Sequence, residues 1–198
     1  ESGKIVSLAV SFLGATVFKI AHDCCLYMNQ NVGFMSFPDN LTTGSSIMTH
    51  KKNPDVLELI RAKCNRIQAL PNELTLLTNN LPSGYHRDLQ WTKEILFPAI
   101  RDLKDCLVMF DYMIQHIRVI KDILKDEKYN YLFSVEAVNT EVRAGVPFRE
   151  AYQNIGRAIE SGNFEPSFKL SHTHEGSLGN LCNDKIVEQM NALIKKIK

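Results

Sequence analysis

The sequence predicts an all-α protein, a segment of a long-helix bundle followed by a small helical domain. Three observations carry this. Apolar residues recur at three- and four-residue steps over long stretches, no convincing strand run interrupts them, and glycine and proline punctuate the stretches rather than filling them.

Residues 4–30 read as a first helix, with Ile5, Leu8, Phe12, Ala15 (or Thr16) and Lys19-Ile20 along one face. Its apolar run, Ile5 to Phe18, is shorter than the roughly 20 residues a bilayer span needs. It also lacks a charged n-region and a cleavage site, so a buried helix and no membrane partner are expected. Gly33 to Thr43, with Pro38-Asp39-Asn40, breaks the helix. A second helix opens at Asn53-Pro54, with Asn53 as N-cap, Pro54 at the first helical position and Asp55 favourable in the first turn. Its stripe is Val56, Ile60, Cys64, Ile67 and Leu70. Leu74, Leu77 and Leu81 continue that stripe past Pro71, which predicts one kinked helix.

Leu81-Pro82-Ser83-Gly84-Tyr85 is a turn. Beyond it Leu89, Leu96, Ile100, Leu103, Leu107, Phe110, Ile114 and Ile117 alternate as a coiled-coil seam does, with Pro98 near the first turn or at a bend. Such a seam requires another long helix beside it, so subunit association is expected. The last third has shorter helices. Phe148, Ala151, Tyr152, Ile155 and Ile159 form one amphipathic face, and 184–198 is a final basic helix with Asn183 as a cap. A boundary near 128–131 divides the bundle segment, 1–129, from a helical tail domain, 130–198.

Composition narrows the function. The 198 residues carry 23 basic and 22 acidic side chains, a net charge of +1, which argues against a nucleic-acid partner. The Lys195-Lys196 and Lys198 cluster suits a helix C-terminus. Five cysteines, at 24, 25, 64, 106 and 182, include no C-x-x-C pair; they read as reduced, packed thiols of a cytoplasmic protein. His22, His50, His86, His116, His172 and His174 form no ligand set, and no metal site is expected. No initiator methionine opens the chain, and helical periodicity starts within a few residues of Glu1, as in the downstream piece of something larger.

The chemistry concentrates in 42–54. Gly44-Ser45-Ser46 is a small turn with two hydroxyls, followed by Lys51, Lys52 and Asn53 directly before a helix start. Helix N-termini carry unsatisfied N–H donors and about half a positive charge, and they attract anions. A serine acting as a base must be stabilised partly as alkoxide, and nearby cations with oriented amides do that.

Gly44, Ser45, Ser46, Met48, Lys51, Asn53 and Pro54 resemble the signature loop of the fumarase/aspartase superfamily. Asn53-Pro54-Asp55, Glu58-Leu59-Ile60-Arg61, Leu81-Pro82-Ser83-x-Tyr85-x-x-Asp88-Leu89-Gln90 and Gly145-x-Pro147-Phe148-Arg149-x-Ala151-Tyr152 resemble the argininosuccinate lyases within it. The resemblance runs along essentially the whole chain and corresponds to the C-terminal half or less of such an enzyme. It implies the fumarase/aspartase-type fold, a homotetramer, no cofactor, and anti-elimination of argininosuccinate to arginine and fumarate in arginine biosynthesis. It makes Ser45 the catalytic base, Lys51 the cation that steadies developing charge, and Glu58 the carboxylate that pairs with a catalytic histidine. Asn53, Tyr85, Gln90 and Lys93 become substrate contacts. Read from the residues alone, Glu58 is equally a first-turn acid paired with Arg61, Tyr85 a turn aromatic, and Lys93 an exposed lysine.

Thr49 and His50 depart from the resembled loop, which has proline and often glutamine there; losing the proline costs about 0.4–1 kcal/mol in unfolded-state freedom. The upstream segments with the partner histidine have no match, so the isolated segment is expected to be inactive. Two alternatives remain: a crystallin-like helical protein without activity, and a sibling lyase acting on adenylosuccinate, malate or aspartate.

Overall fold

The structure is a computed structural model and describes residues 2–44, 47–48, 51–168, 170 and 172–197. It divides into two units, Glu1–Lys121 and Asp122–Lys198.

In the first unit α1 spans Ser2–Tyr27 and is followed by the short strands β1 (Met35–Ser36), β2 (Thr43–Gly44) and β3 (Lys52–Asn53). Helices α2 (Asp55–Ile67), α3 (Leu70–Leu77) and α4 (Trp91–Gln115) complete the bundle, and β4 (Arg118–Val119) closes it. The two ladders are antiparallel and two residues long. β1 pairs with β4 in the register Met35↔Val119, and β2 pairs with β3 in the register Thr43↔Asn53. They pin connections; the fold is all-α.

One core cluster joins Val17, Ala21 and Cys24 of α1 with Leu57, Ile60 and Cys64 of α2 and Cys106 and Met113 of α4. A second joins Val10, Ile67, Leu70, Leu74 and Leu103. The pairing of early with late residues sets the directions. α2 and α3 run antiparallel to α1 and α4, so the start of α2 lies with the ends of α1 and α4. The start of α4 lies with α3 at the other end.

Three sequence expectations change here. Ile5, Leu8 and Phe12 were to be the buried face of α1, but they are exposed, Phe12 at 69%. The buried line is Ser7, Val10, Gly14, Val17, Ala21 and Cys24, largely small residues. A Cβ on Gly14 would stand 3.1 Å from Ile67 Cγ2, so small side chains let α1 and α2 approach closely and the larger ones are left outside. By length and composition α1 could cross a membrane, yet its small-residue face packs on α2, α3 and α4.

The second change is in α2–α3, expected as one kinked helix. Two helices form with Gln68 and Ala69 as a turn between them. Pro71 has no N–H for the Ile67 carbonyl, and the chain tightens, Ala69 N donating to Arg66 O at 3.1 Å. The third is the α4 seam. Leu103 is buried, but Leu107 and Ile114 are exposed at 39% and 40% while Cys106 and Met113 are buried. Leu96, Phe110 and Ile117 pack on the core as expected, so only the row through Leu107 and Ile114 gives way to its neighbour, Cys106 and Met113. Pro98 lies inside α4, which continues through it.

In the second unit α5 (Ser134–Arg143) packs on α6 (Phe148–Glu160), with Ala151 buried and Asn154 Nδ2 donating to Glu141 Oε2 at 3.1 Å. His172 Nε2 lies 2.9 Å from Glu136 Oε1. The last helix, α7 (Asn183–Ile197), buries no residue.

Candidate active site

The root of the 42–54 loop is built by the β2–β3 ladder, which brings Thr43 and Asn53 side by side immediately before α2. Ser45, Ser46, Thr49 and His50 lie outside the described residues, so the expected base is not placed. Asn53 was expected to cap α2, but it sits in β3, and Pro54 takes the cap position with Asp55 first in the helix. The reason is local. The ladder holds Asn53 extended, and the Thr43 hydroxyl donates to the Asp55 carboxylate instead. Asn53 thereby keeps its side chain for the cleft rather than for the backbone.

That cleft has a volume of about 590 Å³ and is bordered by Lys51, Lys52, Asn53 and Glu58, with Asn29 and Ser36 across from them in sequence. It opens where the first N–H groups of α2 have no intrahelical carbonyl to bond; Glu58 N is the first that does, reaching Pro54 O at 3.0 Å. Lys51, an amide and a helix N-terminus converge there, with Lys52 alongside, an arrangement suited to a carboxylate.

Glu58 is exposed in the first turn of α2 and forms no ion pair among the described residues. The surface pairing with Arg61 is not made. Arg61 Nη1 lies 3.4 Å from His22 Nδ1 on α1, and that imidazole stacks on Phe18. Cys25 also borders the cleft; burial holds its thiol above the usual range against the opposing Arg61 charge, with a smaller push from Glu58, so it is a neutral wall.

Tyr85, Gln90 and Lys93 gather elsewhere. Gln90 Nε2 donates to the Tyr85 hydroxyl at 3.1 Å, in the turn that precedes α4, and Tyr85 is 71% exposed. None of the three borders the cleft of Lys51 and Asn53. Lys93 stands in the first turn of α4, whereas Met113 near its other end packs with Leu57 at the start of α2. Twenty residues of helix separate 93 from 113, about 30 Å at 1.5 Å per residue. One chain therefore carries its expected site residues in two groups at opposite ends of the bundle. Among the described residues no three His, Cys, Asp or Glu side chains gather as a metal would require.

Sequence reasoning missed the tethers at the loop root, Thr43 to Asp55 and Lys52 to Asp39, and the Arg61–His22 contact. The first had a signal, a hydroxyl and acids flanking a loop closed by a short ladder. The last, linking residues 39 apart in sequence, had none.

Residues 5–69 match a family described as lyase. Argininosuccinate lyases of Parabacteroides distasonis and Bacteroides fragilis are 54% and 53% identical over 191 and 190 residues, 96% of this chain. Over nearly its whole length this chain is similar to those lyases. It spans less than half of those relatives, 43% and 42% of their lengths. The lyase fold is also that of solved structures. EDDS lyase in complex with formate superposes with a TM-score of 0.67 at 19% identity over 79% of this chain and 32% of its own. The 3-carboxy-cis,cis-muconate lactonizing enzyme of Pseudomonas putida gives 0.65 at 16% identity over 82% and 38%. The expected all-α, fumarase/aspartase-type architecture is thus the one found.

Proposed function

We propose that this lyase segment belongs to an enzyme that cleaves argininosuccinate to arginine and fumarate, in the cytoplasm, as a step of arginine biosynthesis. The observation that carries the reading is the cleft at the N-terminus of α2, where Lys51 and Asn53 meet Glu58, which has no ion pair among the described residues. The identity to argininosuccinate lyases over nearly the whole chain supports that substrate.

The reaction breaks one C–N bond. Ser45 takes the proton from the carbon next to a carboxylate of the succinyl group. The electron pair left behind delocalises into that carboxylate as an aci-carboxylate, which Lys51 and the helix N-terminus stabilise, and Asn53 holds the same group by hydrogen bonds. The pair then forms the carbon–carbon double bond of fumarate as the guanidino nitrogen leaves with a proton. Glu58 orients and charges an imidazole that this chain does not itself supply.

The separation of the two residue groups supports assembly from several copies. A substrate of this size cannot reach from Lys51 to Lys93 across about 30 Å of one bundle. A second copy laid antiparallel brings its Tyr85, Gln90 and Lys93 end to the Lys51 end of the first. Exposed Phe12, Leu107 and Ile114 are the faces such packing would cover, in the expected homotetramer.

The test is fumarate release from argininosuccinate by the full-length protein, with adenylosuccinate, malate and aspartate in parallel. Turnover of argininosuccinate alone supports the reading. Turnover of a sibling substrate instead, or of none, overturns it in favour of a sibling lyase or a structural protein. The 198-residue segment alone is expected to be inactive.

A further inference from the structure

The adjacent lysines at the loop root have different surroundings. Lys51 borders the cleft and has no ion-pair partner among the described residues. Lys52 also borders it, but its ammonium is bound to the carboxylate of Asp39, in the short helical turn Asp39–Leu41 that precedes β2. The hydrogen bond and charge of Lys52, joined by the more distant Arg118, hold the Asp39 carboxyl below the usual range.

The tether does not stand alone. Each strand of the ladder that closes the loop is tied to a different rigid element, β2 through Thr43 to Asp55 of α2, and β3 through Lys52 to Asp39. The segment carrying Asp39 is held in turn by the β1–β4 ladder, with Ile120 N donating to Phe34 O at 3.0 Å.

We propose that Asp39 is a positioning residue for the chemistry at Lys51: by binding Lys52 it fixes the direction of β3 and leaves Lys51, of the two lysines, as the one offered to the substrate carboxylate. The proposal rests on the lyase reading of the cleft. Without Asp39 the second ammonium is released beside the first, where the two repel and compete for one carboxylate, and the loop root keeps one tether of two. The pair is exposed, so its effect on global stability is small. Its effect on placement is not, because displacement of a reacting group by about 1 Å can cost on the order of 100-fold in rate.

The experiment uses the full-length enzyme with Asp39→Asn, Lys52→Met and the exchanged pair Asp39→Lys/Lys52→Asp. Asp39→Asn is expected to lower kcat about tenfold with a much smaller change in KM and an unchanged melting temperature. The exchanged pair should recover most of that loss. Rising salt should bring the unsubstituted enzyme towards Asp39→Asn while leaving the variant flat. Amide hydrogen exchange over 43–53 is read alongside, expected to quicken in Asp39→Asn and slow again in the exchanged pair. Unchanged kcat and KM in Asp39→Asn, or no recovery in the exchanged pair, would overturn the positioning role. Should the unsubstituted enzyme release no fumarate, the functional reading falls separately. In that case unaltered exchange in Asp39→Asn overturns the tether as well, and quickened exchange restored by the exchanged pair upholds it.

Discussion

The two ends of the bundle are finished differently. At the start of α2 the chain builds a walled cleft: a ladder, two side-chain tethers and a helix N-terminus converge on Lys51 and Asn53. At the start of α4 a single hydrogen bond joins Gln90 to an exposed Tyr85, and Lys93 stands in solvent. One end is a receptacle and the other a projection. The difference teaches that the residues expected at one site are held at opposite ends of the bundle, which is what the proposed assembly from several copies requires.

The largest effect expected is at the receptacle. Ser45→Ala in the full-length enzyme should lower kcat by on the order of 10²–10⁴-fold, the usual worth of a positioned proton acceptor. Fumarate release in steady state measures it, and wild-type turnover would remove Ser45 from the mechanism.

A mixing experiment sharpens the comparison further. Ser45→Ala and Lys93→Met, each inactive alone, are denatured together in equal amounts and refolded. If each site joins the receptacle of one copy to the projection of another, random assembly leaves about one quarter of sites with both halves intact. Recovery near that fraction supports division of the site between copies. No recovery would mean that both groups come from one copy and that the 30 Å separation has been misjudged.

Packing beneath the two ends can be broken separately. Leu57 lies under the receptacle and Leu74 towards the projection, both essentially without exposure. Truncation of either to alanine is expected to cost about 2–5 kcal/mol by denaturant titration. Only Leu57→Ala should also weaken binding of fumarate, because Leu57 adjoins Glu58 and the cleft wall. Equal weakening by Leu74→Ala would show that the ends are mechanically coupled.

The smallest effect is a pH dependence. Burial pushes the Cys64 thiol up to about 12, and burial raises Cys106 beside it. The folded state thus prefers these thiols protonated. Their contribution is complete below the unfolded thiol value of about 8.5 and is lost as pH rises from there towards 12. Melting temperature should fall over that alkaline window in the unsubstituted protein and fall less in Cys64→Ala. Parallel curves would assign the alkaline loss to other groups.

The lessons about legibility come from particular residues. The α2 stripe was readable because Ile60, Cys64, Ile67 and Leu70 are apolar, evenly spaced and buried by this chain itself. On α1 the same reasoning selected Ile5, Leu8 and Phe12, the larger side chains, whereas the chain buries the small-residue line through Gly14. Periodicity reports that a face is apolar but not which neighbour covers it. One row of the α4 seam moved by one residue, from Leu107 and Ile114 to Cys106 and Met113, for the same reason, since two adjacent apolar rows satisfy the alternation equally well. At the site, Lys51, Asn53 and Glu58 were legible as one cluster because they lie within eight residues. The remoteness of Tyr85, Gln90 and Lys93 was not, because sequence separation does not reveal that α4 returns antiparallel along α2 and α3.

By itself the sequence determined the helices, the turn residues between them and the types of side chain gathered at the loop, all local properties set by backbone preference and spacing. Tertiary structure decided which apolar row faces inward, that Asp39 binds one lysine of an adjacent pair, that Arg61 turns to His22 rather than to Glu58, and that the expected site residues lie at opposite ends of the bundle. Those outcomes depend on distances between residues far apart in the chain, and such distances exist only once the helices have packed.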